Sequence, residues 1–175
     1  MEPTLKPGIL TALNIAVTDH NLVMLVLEYG AKTEAKDSRA DTVFHLVAML
    51  GQDTTMRSLM QLQVKPAVGI HSVNHEMKTP LHHVVASGYE SMVRLLFEHG
   101  VKIEARTFDR NTALHLASSG NEKVAQTLIE FGADSEARNL QKMTALHKAA
   151  MSDMDTMIPR CSKKEPTSRL ATSFR

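Results

Sequence analysis

The feature that most constrains the fold is a short motif that recurs through most of the chain. A threonine, any residue, an apolar residue and a histidine occur in this order at residues 42–45, 79–82, 112–115 and 144–147. A degenerate copy begins at Thr11, and the five threonines are separated by 31, 37, 33 and 32 residues. Such a period indicates a repeat array, in which each unit buries its apolar side against its neighbours.

A second motif follows the first with the same period. The pattern glutamate, any residue, glycine, an alanine or valine, two further residues, glutamate and alanine occurs at residues 28–35, 98–105 and 130–137. From each of its glycines, the next threonine of the first motif follows after 12 residues. Glycine adopts positive φ at little cost, so these positions suit the turn that ends a helix.

The residues between the motifs predict two helices in each unit. The threonine suits a helix N-cap, because its hydroxyl can accept a backbone N–H that the first turn leaves free. Pro80 falls at the first helical position, where a missing N–H costs little. In the second helix of the fourth unit, Val124 and Leu128 share one face, and charged or amide side chains occupy the opposite face. We therefore predict stacked helix-turn-helix units.

These two motifs, in this order and at about 33 residues per unit, resemble the ankyrin repeat. The resemblance covers roughly residues 8–153 and implies a mainly α solenoid of helix-turn-helix units with short hairpin fingers. It also implies that each motif histidine ties the start of its helix to the backbone of a neighbouring loop. We expect one array over residues 1–155, with repeats that start near Gly8, Asp37, Asn74, Thr107 and Asn139.

Two parts of the chain depart from the pattern. In the second repeat Gln63 stands where other units have glycine, and the next threonine follows after 16 residues. We therefore expect a longer finger and a local distortion over Val64–Met77. The fifth repeat starts a helix at Thr144–Ala150, but Pro159 and a polar stretch follow instead of a second apolar helix. Residues 156–175 carry five basic side chains and one acidic side chain, and we expect them to form a disordered basic tail.

Ankyrin arrays generally bind other proteins and carry out no chemistry, so the resemblance implies a non-catalytic interaction module, either a scaffold or an adaptor. Recognition in such arrays uses the finger tips and the concave face of the first helices. Carried over position by position, the candidate partner-binding residues are Arg39, Asp41, Met49, His75, Glu76, Lys78, Phe108, Asp109, Asn111, Leu140, Gln141 and Met143. Apolar groups at exposed tips would form the centre of an interface, which singles out Phe108, Leu140 and Met143.

Two other interpretations stay open. One is that the chain is a piece of a longer ankyrin array from a multidomain protein, with no function alone, because the fifth repeat stops early. The other, from a different functional class, is that the basic tail contacts nucleic acid or a membrane. The tail is the least favoured of the three, because its five basic charges have no interleaved aromatic residues.

The motifs of common catalytic sites are absent from the sequence. The chain lacks the glycine-rich phosphate loop, the dinucleotide fingerprint and the serine nucleophile elbow. The four motif histidines lie one repeat apart, which is too far to share one ion at ligand distances of about 2 Å. We expect no enzyme activity, no cofactor, no metal and no small-molecule substrate.

Overall charge and hydropathy give no indication of a nucleic-acid or membrane partner. The net charge is +1, the longest uninterrupted apolar run is Leu22–Leu27, and Cys161 is the one cysteine. Without the tail, residues 1–155 carry a net charge of −3. These features predict a cytoplasmic protein, with the nucleus as the alternative location, and we expect it to be a monomer. That it binds a protein partner, of unknown identity, is what the resemblance to ankyrin repeats implies.

Overall fold

Eight helices lie along the described parts of the chain, which in this computed structural model are residues 17–29, 32–62, 69–118 and 120–151. They are α1 (His20–Glu28), α2 (Val43–Leu50), α3 (Asp53–Leu62), α4 (Pro80–Ser87), α5 (Glu90–Glu98), α6 (Ala113–Ala117), α7 (Glu122–Glu130) and α8 (Ala145–Met151). No residue in these ranges belongs to a β-strand. The described chain is therefore all-helical, and turns connect the repeats.

Several of the sequence-based predictions concern residues outside these described ranges. The repeat start near Gly8 and the basic tail over residues 156–175 lie outside the described residues. Of the predicted irregular segment Val64–Met77, residues 64–68 also lie outside. Within the remainder of that segment, Ile70 is buried at 1% exposure and joins the core.

The helices pair within repeats and stack between repeats. α2 packs on α3, α4 on α5 and α6 on α7, which gives three helix-turn-helix units. The first helices α2, α4, α6 and α8 form one layer, and the second helices α1, α3, α5 and α7 form another. The predicted mainly α repeat solenoid is confirmed.

The core is a continuous apolar layer between the two layers of helices. Leu81 of α4 and Leu114 of α6 occupy the same repeat position and are 0% and 1% exposed. Met92 and Leu96 of α5 and Leu128 of α7 fill the core from the second layer. Full burial of such a side chain contributes about 1.5–3 kcal/mol. Since neighbouring repeats supply part of the burial, the stability of each unit depends on its neighbours.

Each first helix begins with a threonine and a histidine that cap it together. At the start of α4, the Nδ1 atom of His82 accepts the backbone N–H of Thr79 at 3.0 Å and lies 2.9 Å from the Thr79 hydroxyl. The same capping box is present at α2 and at α6. An Nδ1 atom that accepts a hydrogen bond carries no proton, so the neutral ring holds its proton on Nε2.

The same histidines tie the start of each first helix to the segment that follows its own helix pair. Their Nε2–H groups donate to backbone carbonyls at 3.0–3.1 Å, His45 to Lys78, His82 to Ala105 and His115 to Met143. A net contribution of about 1 kcal/mol is typical for a hydrogen bond of this kind. The role that the family resemblance implies for the motif histidine is confirmed at these three positions.

A left-handed glycine closes two of the first helices. Gly51 follows α2 with φ +69°, and Gly88 follows α4 with φ +80°. A Cβ atom on Gly51 would lie 2.5 Å from Cζ of Tyr89 in the next repeat. The turn after α2 therefore needs glycine for two reasons, its backbone conformation and its contact with the neighbouring repeat.

We predict that Gly51→Ala destabilises the array more than Gly100→Ala does. Both glycines have positive φ, which costs a residue with a Cβ atom roughly 1–2 kcal/mol. A Cβ on Gly100 meets no atom within 4 Å, whereas a Cβ on Gly51 meets the Tyr89 ring, and overpacking adds roughly 1–3 kcal/mol. Urea unfolding followed by circular dichroism measures both losses. Equal losses would show that Tyr89 moves aside without cost.

Candidate functional site

Four tight turns, called the fingers, project between the repeats and comprise residues 37–41, 74–78, 107–111 and 139–143. In the second finger, Oδ1 of Asn74 accepts the backbone N–H groups of Glu76 and Lys78, both at 3.0 Å. Asp37 and Asn139 make the equivalent pair of bonds in the first and fourth fingers. Side chains that bond the backbone two and four residues ahead hold these three turns closed, and in the third finger the Thr107 hydroxyl accepts only the N–H of Asn111.

The fourth residue of each finger has a left-handed backbone. Its φ is +62° at Ala40, +57° at Met77, +59° at Arg110 and +61° at Lys142. None of the four is glycine, so the sequence carries no signal for this conformation. A left-handed residue with a Cβ atom costs roughly 1–2 kcal/mol, and the surrounding bonds of the finger impose that cost.

Backbone hydrogen bonds join neighbouring fingers tip to tip. The N–H of the second residue in one finger donates to the carbonyl of the third residue in the finger before it. The bonds run from His75 to Arg39 at 3.0 Å, from Phe108 to Glu76 at 2.9 Å and from Leu140 to Asp109 at 2.9 Å. The backbone itself therefore fixes the spacing of the tip side chains.

An open cleft of about 540 Å³ lies between the second and third fingers and also touches Leu116 of α6. Six of the predicted partner-binding residues line it: His75, Glu76, Lys78, Phe108, Asp109 and Asn111. The other six lie on the first finger, on the fourth finger or at the end of α2: Arg39, Asp41, Leu140, Gln141, Met143 and Met49. The structure thus brings half of the predicted residues together at one cleft.

Two large apolar side chains protrude from adjacent fingers. Phe108 is 74% exposed and Leu140 is 61% exposed. Met143 is half-buried, and its carbonyl accepts the bond from His115. Met49 is exposed at the end of α2, in the layer of first helices. Bulky apolar groups held at a fixed spacing form a surface that a partner protein can cover.

Asp41 does not lie at the surface, although its position predicts a finger tip. Its side chain is 2% exposed, and Oδ1 accepts the Nδ2–H of Asn74 at 2.8 Å. Its other carboxylate oxygen lies 3.4 Å from Nε of the exposed Arg39. A buried carboxylate needs such partners, so Asp41 joins the first two fingers to each other.

The carboxylate of Glu76 is already paired within its own finger. It forms an ion pair with Lys78, and the hydrogen bond from Lys78 lowers the pKa of Glu76.

Three charged side chains, Asp109, Arg110 and Lys142, are exposed on the third and fourth fingers. The third and fourth fingers therefore present more positive charge than negative charge to a partner.

Buried histidines lie behind the fingers. Burial lowers the pKa of His82 to about 4, and burial lowers the pKa of His45 and of His115 as well. Burial and the nearby His45 ring, edge-on at 5.8 Å, lower the pKa of His83 to about 4. Nε2 of His83 is buried without a hydrogen bond, 3.9 Å from Oδ1 of Asp41. A second proton, which would give the ring a positive charge, is therefore costly on any of these histidines in the folded chain.

The part of the chain that the structure describes contains neither a candidate metal-binding cluster nor a candidate membrane-spanning helix. Its histidines, cysteines and carboxylates form no group of three or more that is placed to hold a metal ion. Among the helices α1 to α8, none is long and apolar enough to cross a membrane.

Comparison with known proteins gives one family and one relative. The family model described as ankyrin repeats (3 copies) matches residues 11–107 and 44–139, which together cover most of the chain. A protein of Mus musculus named B-cell lymphoma 3 protein homolog is 31% identical over 97 residues. That alignment covers 54% of this chain and 22% of the mouse protein, so this chain matches about a fifth of that relative's length.

We predict that acid destabilises the array through its buried histidines. An unfolded histidine has a pKa of 6.5 and the pKa of folded His82 is about 4, so the unfolded state binds more protons between these values. The free energy of unfolding therefore falls as the pH drops from 6.5 towards 4, by roughly 3 kcal/mol for His82 alone, and is unaffected by this group above pH 6.5.

Urea midpoints measured across this pH range test the expectation. His82→Gln should be less stable at pH 7 but should show a shallower loss with acid than the parent chain. His75→Gln, at an exposed finger tip, serves as the matched control and should keep the parent slope. If the urea midpoint of His82→Gln fell with pH as steeply as that of the parent chain, His82 would not be a source of the acid sensitivity.

Proposed function

We propose, since the chain belongs to the ankyrin-repeat family, that it is a non-catalytic scaffold or adaptor that binds a partner protein through its fingers and first helices. Arrays of this family are generally protein-interaction modules. The observation that carries the proposal is the pair of protruding side chains, Phe108 and Leu140, on neighbouring fingers. Large apolar side chains that protrude from an ordered surface can act as anchors that a partner protein buries.

The cleft beside Phe108 adds polar groups for specificity. Glu76 and Lys78 form one wall as an ion pair, and Asp109 and Asn111 lie on the opposite finger. Charged groups at the rim of an interface select among partners more than they raise affinity. We propose that this surface binds its partner in the cytoplasm or, alternatively, in the nucleus. We also propose that the chain is a monomer.

The alternative proposal is that the chain works as part of a longer array. It is motivated by the mouse relative, in which the aligned segment makes up 22% of the protein. Contact of the tail with nucleic acid or a membrane has no observation in its favour.

Selection of binders from a random peptide display library on the full chain tests the proposed function. The matched variants are Phe108→Ala with Leu140→Ala on the fingers, and Tyr29→Ala as the control. Tyr29 is an aromatic residue that is 84% exposed at the end of the second helix α1, outside the fingers. A binder depends on the fingers if it no longer binds the double variant but still binds the Tyr29→Ala control.

We predict that Phe108→Ala with Leu140→Ala lowers the affinity of selected binders by at least about tenfold, which is about 1.4 kcal/mol. The urea midpoint should hardly change, because both side chains are exposed and such substitutions alter stability by about 0.5 kcal/mol or less. Binding measured by fluorescence anisotropy gives the affinities. Binders that tolerate the double variant, or that respond equally to Tyr29→Ala, would contradict the proposed function.

A further inference from the structure

The left-handed position of each finger is occupied by a residue other than glycine, although glycine would adopt that backbone conformation with less strain. Glycine adopts this conformation without strain, whereas the second, third and fourth fingers have Met77, Arg110 and Lys142 there. Met77 is 46% exposed, and Arg110 and Lys142 are exposed too. These three long side chains therefore neither fill the core nor ease the turns that carry them.

The two cations stand beside the two protruding apolar groups. Arg110 shares the third finger with Phe108, and Lys142 shares the fourth finger with Leu140. The hydrogen bond from Leu140 to the carbonyl of Asp109 holds these two fingers together at 2.9 Å. Two apolar side chains and two cations are thus fixed on one pair of fingers.

The local charge is opposite to that of the array as a whole. Neither the guanidinium of Arg110 nor the ammonium of Lys142 forms an ion pair with another described residue, and Asp109 is the one carboxylate on these two fingers. Residues 1–155 carry a net charge of −3, so this pair of fingers is a positive region on an array that is negative as a whole. Exposed cations on a rigid backbone attract carboxylates from solution.

From this geometry we infer that Arg110 and Lys142 determine the specificity of the binding surface. They select an acidic partner segment, in which carboxylates flank bulky apolar side chains. The apolar groups of the segment pack on Phe108 and Leu140, and its carboxylates pair with the guanidinium and the ammonium. The inference rests on the proposed function, because it names the chemistry of the partner for the same surface.

The competing explanation is that these side chains are merely solvated. It predicts that their removal leaves binding unchanged. Replacement by glycine distinguishes the two explanations, because glycine removes the side chain and the strain at once. Replacement by alanine removes the side chain and leaves the strain. A binding role predicts that both replacements weaken binding, and mere solvation predicts that neither does. Under either explanation the glycine variant should be the more stable of the two, because it relieves the backbone strain.

The test uses the full chain and a fluorescein-labelled synthetic peptide that alternates glutamate and leucine. Matched peptides carry glutamine or lysine in place of glutamate. The variants are Arg110→Gly with Lys142→Gly, and Arg110→Ala with Lys142→Ala. The control, Arg57→Ala with Lys123→Ala, removes two exposed cations from the second helices α3 and α7 and so changes the net charge equally.

We expect the acidic peptide to bind the parent chain at least about tenfold more tightly than the glutamine peptide, and the lysine peptide to bind more weakly still. Both double variants at the fingers should lose this preference, and the control should keep it. The urea midpoint should be higher for the glycine variant than for the alanine variant. Added salt should also weaken the preference of the parent chain for the acidic peptide, because salt screens the attraction between exposed charges.

The outcomes separate this inference from the proposed function. If the glutamine peptide binds equally well and Phe108→Ala with Leu140→Ala abolishes binding, the surface binds protein but the acidic specificity is wrong. If no peptide depends on Phe108 and Leu140, both proposals fail. An acidic preference that survives removal of Arg110 and Lys142, or that the control also abolishes, overturns the inference.

Discussion

The array depends on one neutral imidazole in each of its second, third and fourth repeats, His45, His82 and His115. The ring of His82 accepts a hydrogen bond from the N-cap of its own helix at Nδ1 and donates one to the carbonyl of Ala105 at Nε2. Both bonds need a ring with a single proton, and burial keeps it in that state by lowering its pKa. The start of a helix and its attachment to the following segment are therefore set by the same side chain. Neither can change independently of the other.

The rigidity of the finger surface follows from these attachments. His115 fixes the carbonyl of Met143 at the base of the fourth finger, and backbone bonds then join each tip to the one before it. The buried pair Asp41 and Asn74 adds a side-chain link between the first two fingers. A surface that is ordered before binding loses less conformational entropy when a partner covers it. The exposed side chains Phe108 and Leu140 stand on such a surface.

The sequence predicts what is determined within a few residues and misses what depends on distant contacts. The threonine and histidine that cap a helix lie three residues apart, so their spacing alone indicates the helix start. The burial of Asp41 could not be read in the same way, because it depends on Asn74, which lies 33 positions further along the chain. The left-handed conformation of Met77 and Arg110 was also missed, because only glycine or asparagine would have indicated it.

The bonds between the tips have a consequence for which changes of length the repeats tolerate. Since the second residue of each finger meets the third residue of the finger before it, an inserted residue within a finger would displace the donor from its acceptor. All four fingers accordingly have five residues, whatever side chains they carry. In the irregular second repeat, the additional residues precede Asn74 and leave the finger itself unchanged in length. The outward-facing side chains of a finger can therefore be substituted without loss of these backbone bonds, whereas insertions and deletions are tolerated only outside the fingers.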